Sequence, residues 1–172
     1  MCSSDLPFHV YVIENKEFRE KLKPALNNQP QSTEASHILV FAAWKSVTEA
    51  KVDEYIALVA ETRGVAIDSL AGFKSMVLGY LSKQSTEEIQ SWASKQTYIA
   101  LGTAMVSAAS QQIDATPMEG FSAAAVNELL ELDKRDLHAS VILALGYRDA
   151  TIDPLASANK VRKPIHKIID II

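Results

Sequence analysis

The chain has 172 residues, 48% of them hydrophobic and 22% charged, with a net charge of −4. That is the size and balance of one ordinary folded domain with a substantial core, and it gives no sign of the basic face that nucleic-acid binding needs. No apolar run approaches the length that spans a bilayer, and no basic-then-apolar leader opens the chain. The single cysteine, Cys2, excludes an internal disulfide framework and argues against a cysteine metal site. Neither a membrane nor a nucleic-acid partner is expected, and the expected location is cytoplasmic.

Phe8 to Ile13 (FHVYVI) is rich in β-branched and aromatic residues and predicts the first strand. Asn15 is expected to start a helix reaching about Leu26, with Phe18, Leu22 and Leu26 on one face. The breaker cluster Asn27-Asn28-Gln29-Pro30 ends it. His37 to Trp44 (HILVFAAW) is apolar on both faces, as a central parallel strand would be. Helices follow over Ser46 to Arg63, with Val52, Tyr55, Ile56 and Val59 as the apolar stripe, and over Ile67 to Ser82. Ser85-Thr86-Glu87-Glu88 fits a capping box opening a long helix to about Gln112. The second half of that helix is small and apolar nearly all round, a surface for a partner helix. On it, Trp92, Tyr98 and Met105 read as core or interface residues rather than cofactor contacts.

Asp114 to Phe121 is expected to be a loop around Pro117 and Gly120. Ser122 caps a short helix to Leu132, and His138 to Tyr147 (HASVILALGY) is a third apolar strand. The tail from Arg148 carries a basic cluster and ends in IIDII. Strands separated by helices predict an α/β domain whose central, mostly parallel sheet is flanked by helices. Residues 1–6 stand apart, because a central-type strand begins immediately after them. One coding of Cys2 to Leu6 reads like the end of a common sequencing-library adapter. Residues 1–6 are therefore expected to be a non-native artefact, and residues 7–172 a single domain incomplete at its N-terminus.

Three constellations can carry chemistry. Lys160 and Arg162 are two apart just before Pro164, which disfavours helix. In extended chain the two cations share a side and suit a phosphate, although a solvated basic tail has the same composition. Pro117-Met118-Glu119-Gly120-Phe121 is a loop in which Gly120 permits close backbone approach, or a plain connection. Asn28 and Gln31 flank Pro30 and can read a polar heterocycle through their amides, or simply form a turn. His9, His37, His138 and His166 have no ligand spacing, so no metal site is expected.

In order along the chain, these pieces resemble the nitroreductase family, especially its oxygen-insensitive NAD(P)H nitroreductase branch. The resemblance rests on Pro7-Phe8-His9, on Asn28-x-x-Gln31 followed by Glu34-Ala35-Ser36-His37, and on Trp92-x-x-Lys95-Gln96-x-Tyr98. It continues through Pro117-Met118-Glu119-Gly120-Phe121 and Lys160-x-Arg162-x-Pro164. It implies a nitroreductase-like α+β fold and a homodimer with FMN at each subunit interface. Lys160 and Arg162 would hold the phosphate, and Asn28 and Gln31 the pyrimidine edge. Pro117, Met118, Glu119 and Gly120 would form the loop over the flavin, with the Glu119–Gly120 backbone near N5. The implied cycle moves hydride from NAD(P)H through FMN to a nitroaromatic or quinone, with no side chain named as catalytic. The family's first helix and the glutamine-containing segment after it, which supply further flavin contacts, would lie upstream of Pro7. Their lack implies an N-terminally truncated member with weakened FMN binding. A flavin-dependent dehydrogenase of the same fold, or an inactive α/β fragment, is the alternative.

Overall fold

The computed structural model describes residues 7–153 and 155–172. The artefact expected at residues 1–6 lies outside the described residues. Four strands form one sheet: β1 (Phe8–Ile13), β2 (His37–Trp44), β3 (Asp114–Met118) and β4 (Leu137–Gly146), in the order β1-β2-β4-β3. Every neighbouring pair is antiparallel. The expectation of a mostly parallel sheet is therefore corrected. It rests on strands separated by helices and on the apolar faces of β2, but helical connections also join antiparallel strands, and the apolar faces reflect helices on both sides and not strand direction. Ile38, Val40 and Ala42 pack into one core with Leu22, Leu26, Val126 and Leu132. Phe41, and partly buried Leu39, pack on the other side with Leu101 and Met105.

The helices are α1 (Lys16–Leu22), α2 (Gln31–Glu34), α3 (Glu49–Arg63), α4 (Ala71–Leu81), α5 (Thr86–Ser110) and α6 (Ala123–Leu129). Their starts are written in side chains that satisfy otherwise unpaired N–H groups. Asn15 accepts from the Phe18 N–H at 2.7 Å, and Thr48 and Ser122 cap α3 and α6. Ser85 and Glu88 form the expected capping box of α5. Gly64, at φ 64°, closes α3 in the left-handed conformation that glycine adopts most easily.

Two features bear on the candidate site. First, α1 stops at Leu22, and the 3-10 turn Lys23–Leu26 containing Pro24 carries the chain to Asn27 and Asn28, both at φ 55°. Asparagine tolerates that region better than most residues, so the breaker cluster reverses the chain there. Second, Asp114 to Met118 is a strand and not the expected loop, with Pro117 opposite Leu143. Because β3 is an edge strand, a residue without an N–H costs the sheet little there. The residues after Met118 are thereby anchored to the sheet. Where Ala42 pairs with Ala139 and Phe41 with Val141, Ser140 is an extra residue in β4. Its hydroxyl lies 2.9 Å from that of buried Thr97 on α5, so the bulge turns a polar side chain under the long helix.

Candidate functional site

The turn after α1 and the segment after β3 meet. The Asn27 Nδ2 and Gln29 Nε2 groups each donate to the Gly120 carbonyl at 2.8 Å. Ser122 N–H donates to the Ala25 carbonyl at 2.8 Å, tying the start of α6 to the same turn. Gln31 Nε2 donates to Gln29 Oε1 at 3.1 Å, so the amide side chains form a short connected row. Ser32, fully buried, donates to the Gln29 carbonyl at 2.6 Å and fixes the turn from beneath. Arg19, 3% exposed, reaches from α1 to the carbonyls of Ala35 and, at 3.3 Å, Thr33, holding the far end of α2.

A third element reaches the same place. Tyr98 on α5 donates its hydroxyl to Glu119 Oε1. That bond, then burial, then the charge of Glu119 push the phenol up to about 12, so Tyr98 stays protonated throughout the neutral range. Among the described residues the backbone N–H groups of Glu119 and Gly120 make no hydrogen bond. A Cβ added at Gly120 would lie 3.6 Å from Gln29 Nε2 and 4.0 Å from Asn27 Nδ2, which is ordinary contact. Neither the backbone conformation nor the protein's own atoms demand glycine at that position.

Of the residues singled out from sequence, Gln31, Glu119 and Gly120 join this cluster, and Asn28 sits exposed within its turn. Pro117 is exposed on the edge strand, while the Met118 side chain is 3% exposed in the core. Lys160 and Arg162 are exposed in irregular backbone, and Arg162 donates to the Val161 carbonyl at 2.8 Å. Among the described residues no hydrogen bond or ion pair brings them to the cluster. Asn27, Gln29 and Tyr98 were missed. The first two were absorbed into the breaker cluster as turn formers, and Tyr98 into the core-or-interface reading of α5. An open groove lined by Tyr11, Glu14, Phe18, Lys21 and Leu130 shares no residue with the cluster. No helix among the described residues is long and apolar enough to cross a membrane, and no group of three metal-ligating side chains occurs among them.

A model of the nitroreductase family matches residues 3–147. A Staphylococcus haemolyticus protein named as an NAD(P)H nitroreductase is 34% identical over 172 residues, covering 95% of this chain and 77% of the relative. The major NAD(P)H-flavin oxidoreductase of Aliivibrio fischeri is 29% identical over 172 residues, covering 96% of this chain and 79% of its own. In fold, the chain is similar to an Exiguobacterium sibiricum nitroreductase solved in complex with FMN. The TM-score is 0.80 at 18% identity, covering 99% of this chain and 80% of that one. The nitroreductase-like fold implied by the motifs is the fold observed, and the chain belongs to the nitroreductase family of oxidoreductases.

Proposed function

We propose that the chain is an FMN-dependent NAD(P)H oxidoreductase that passes hydride to nitroaromatic or quinone acceptors, in a cytoplasmic homodimer. The observation that carries this reading is the convergence of the Asn27–Gln31 turn and the Glu119–Gly120 segment through two amide bonds to one carbonyl. The donor set fits a flavin. Asn28 and Gln31 offer amide groups that both donate and accept, as the pyrimidine edge requires. The backbone N–H groups of Glu119 and Gly120, unpaired among the described residues, suit a ring nitrogen, and the exposed Lys160 and Arg162 offer two cations for a phosphate.

When bound, FMN supplies the hydride chemistry between NAD(P)H and the acceptor. The protein's part is to bind, orient and shield. Lys160 and Arg162 would hold the phosphate, Asn28 and Gln31 would hydrogen-bond the pyrimidine edge, and the Glu119–Gly120 backbone would line the ring. Pro117 and the Met118 backbone carry that segment off the sheet. No side chain is needed as acid or base. The NAD(P)H-flavin oxidoreductase relative and the FMN-bound neighbour support this assignment.

Exposed apolar residues on α4 and α5, among them Met76, Trp92, Ile99 and Val106, support a homodimer, as do Ile165, Ile168 and Ile171 in the tail. The function is tested by adding NAD(P)H anaerobically to the FMN-saturated chain and following the flavin's visible absorption. Bleaching, reversed by a nitroaromatic or a quinone, is the expected result. Absorption that persists with both NADH and NADPH refutes the proposal.

A further inference from the structure

The two amide donors on Gly120 begin a longer chain of hydrogen bonds. The Gly120 carbonyl belongs to the peptide whose N–H is that of Phe121. That N–H donates to the Glu119 carbonyl at 2.9 Å, closing a three-residue turn. The Glu119 carbonyl in turn belongs to the peptide whose N–H is Gly120's own. Each accepted bond polarises its peptide and makes the N–H of the same peptide a better donor, so the effect passes along the row. It ends at the Gly120 N–H, which has no partner among the described residues. Tyr98 meanwhile engages the Glu119 carboxylate, directing the acceptor adjacent in sequence to another partner.

We propose that Asn27 and Gln29 are positioning residues that lock and polarise the Glu119–Gly120 turn, leaving the Gly120 N–H as a strengthened donor to the flavin ring, with Tyr98 keeping the Glu119 carboxylate away from it. The inference rests on the flavin reading above. It assigns a role to three residues that need not touch the cofactor. It also accounts for why two amide donors, on side chains two residues apart, are directed at a single exposed carbonyl.

The test uses Asn27→Gly with Gln29→Leu, which removes both donors, changes no charge, and keeps residue 27 at ease at φ 55°. Hydrogen exchange is measured first on the chain without FMN, with the β4 amides as the check that the fold is intact. The Phe121 amide is expected to exchange faster in the variant, while β4 protection is unchanged. FMN is then titrated into both chains. Affinity is expected to fall about tenfold, the scale of one lost charged or polarised hydrogen bond, and the visible spectrum of the bound flavin to shift. If Phe121 exchanges alike in both chains, the lock does not exist and the inference fails. Faster exchange with unchanged FMN affinity and spectrum overturns it while leaving the flavin reading intact. A parent chain that binds no FMN overturns both.

Discussion

Replacing Arg19 by methionine tests how the candidate site is held from behind. Arg19 is 3% exposed, and its guanidinium reaches the carbonyls of Thr33 and Ala35 at the end of α2. Among the described residues it has no carboxylate partner, and its Nε has no hydrogen bond. Two effects oppose each other. Methionine fills similar volume and removes a buried, uncompensated cation, which is favourable. It also leaves two carbonyls without their charged donor, a loss of about 1–3 kcal/mol each. The second effect is the larger because both carbonyls lie at the packed junction of α1 and α2, so the net loss is about 2–4 kcal/mol. For a domain of this size each kcal/mol moves the melting midpoint by about 2–4 °C, so a loss near the middle of that range lowers Tm by about 6–12 °C. Thermal denaturation followed by circular dichroism measures it. Arg19→Lys, which keeps one donor, is expected to fall between the two. A methionine variant melting within about 2 °C of the parent would show that Arg19 does not hold α2.

Three further outcomes follow from the same geometry. Ultraviolet titration should find one tyrosine ionising near 12, and Glu119→Gln should bring it back towards the ordinary 10.0; a Glu119→Gln chain with an unchanged titration curve would deny the Tyr98–Glu119 bond. Burial pushes Asp136 up, but hydrogen bonds from Lys51 and Ser46, with the Lys51 charge, outweigh it and hold the carboxyl below 3.8. A depressed folded pKa stabilises above the unfolded value, and that contribution is lost as pH falls through the folded one. Asp136→Asn should therefore cost about 1 kcal/mol at neutral pH, small because the pair is partly exposed, with the difference from the parent closing below pH 3.8; a constant difference at all pH values would contradict it. Leu143 is fully buried at the centre of the sheet facing α5, so Leu143→Ala should cost about 2–5 kcal/mol in chemical denaturation, and a loss below about 1 kcal/mol would show that the α5 side is loosely packed.

Much of this was legible in the residues. The capping residues Asn15, Ser85 and Ser122 report local chemistry, and local chemistry survives folding, whereas α3 begins at Glu49 behind Thr48 and not at the expected Ser46. Strand direction was not legible, because Ile38 to Ala43 look the same whether helices cover a parallel or an antiparallel sheet. Pro117 hid β3, since only the sheet order reveals that it sits on an edge. The candidate site was half visible. Gln31, Glu119 and Gly120 stood out by type and motif, but Asn27 and Gln29 looked like turn formers. Their left-handed turn aims both side chains at a carbonyl 91 to 93 residues away, a fact of tertiary structure. Tyr98 was hidden for the same reason. Its partner lies 21 residues on, across the α5–β3 junction.

The central claim is that the two converging loops and the basic tail together form a flavin site. Equilibrium titration with FMN, followed by flavin fluorescence, tests it most directly when the parent, Asn28→Ala with Gln31→Ala, and Arg162→Ala are compared. The account predicts saturable binding of one FMN per chain, weakened in both variants, with Arg162→Ala losing about 1.5–3 kcal/mol. No saturable binding by the parent, or equal affinity in all three, would contradict it.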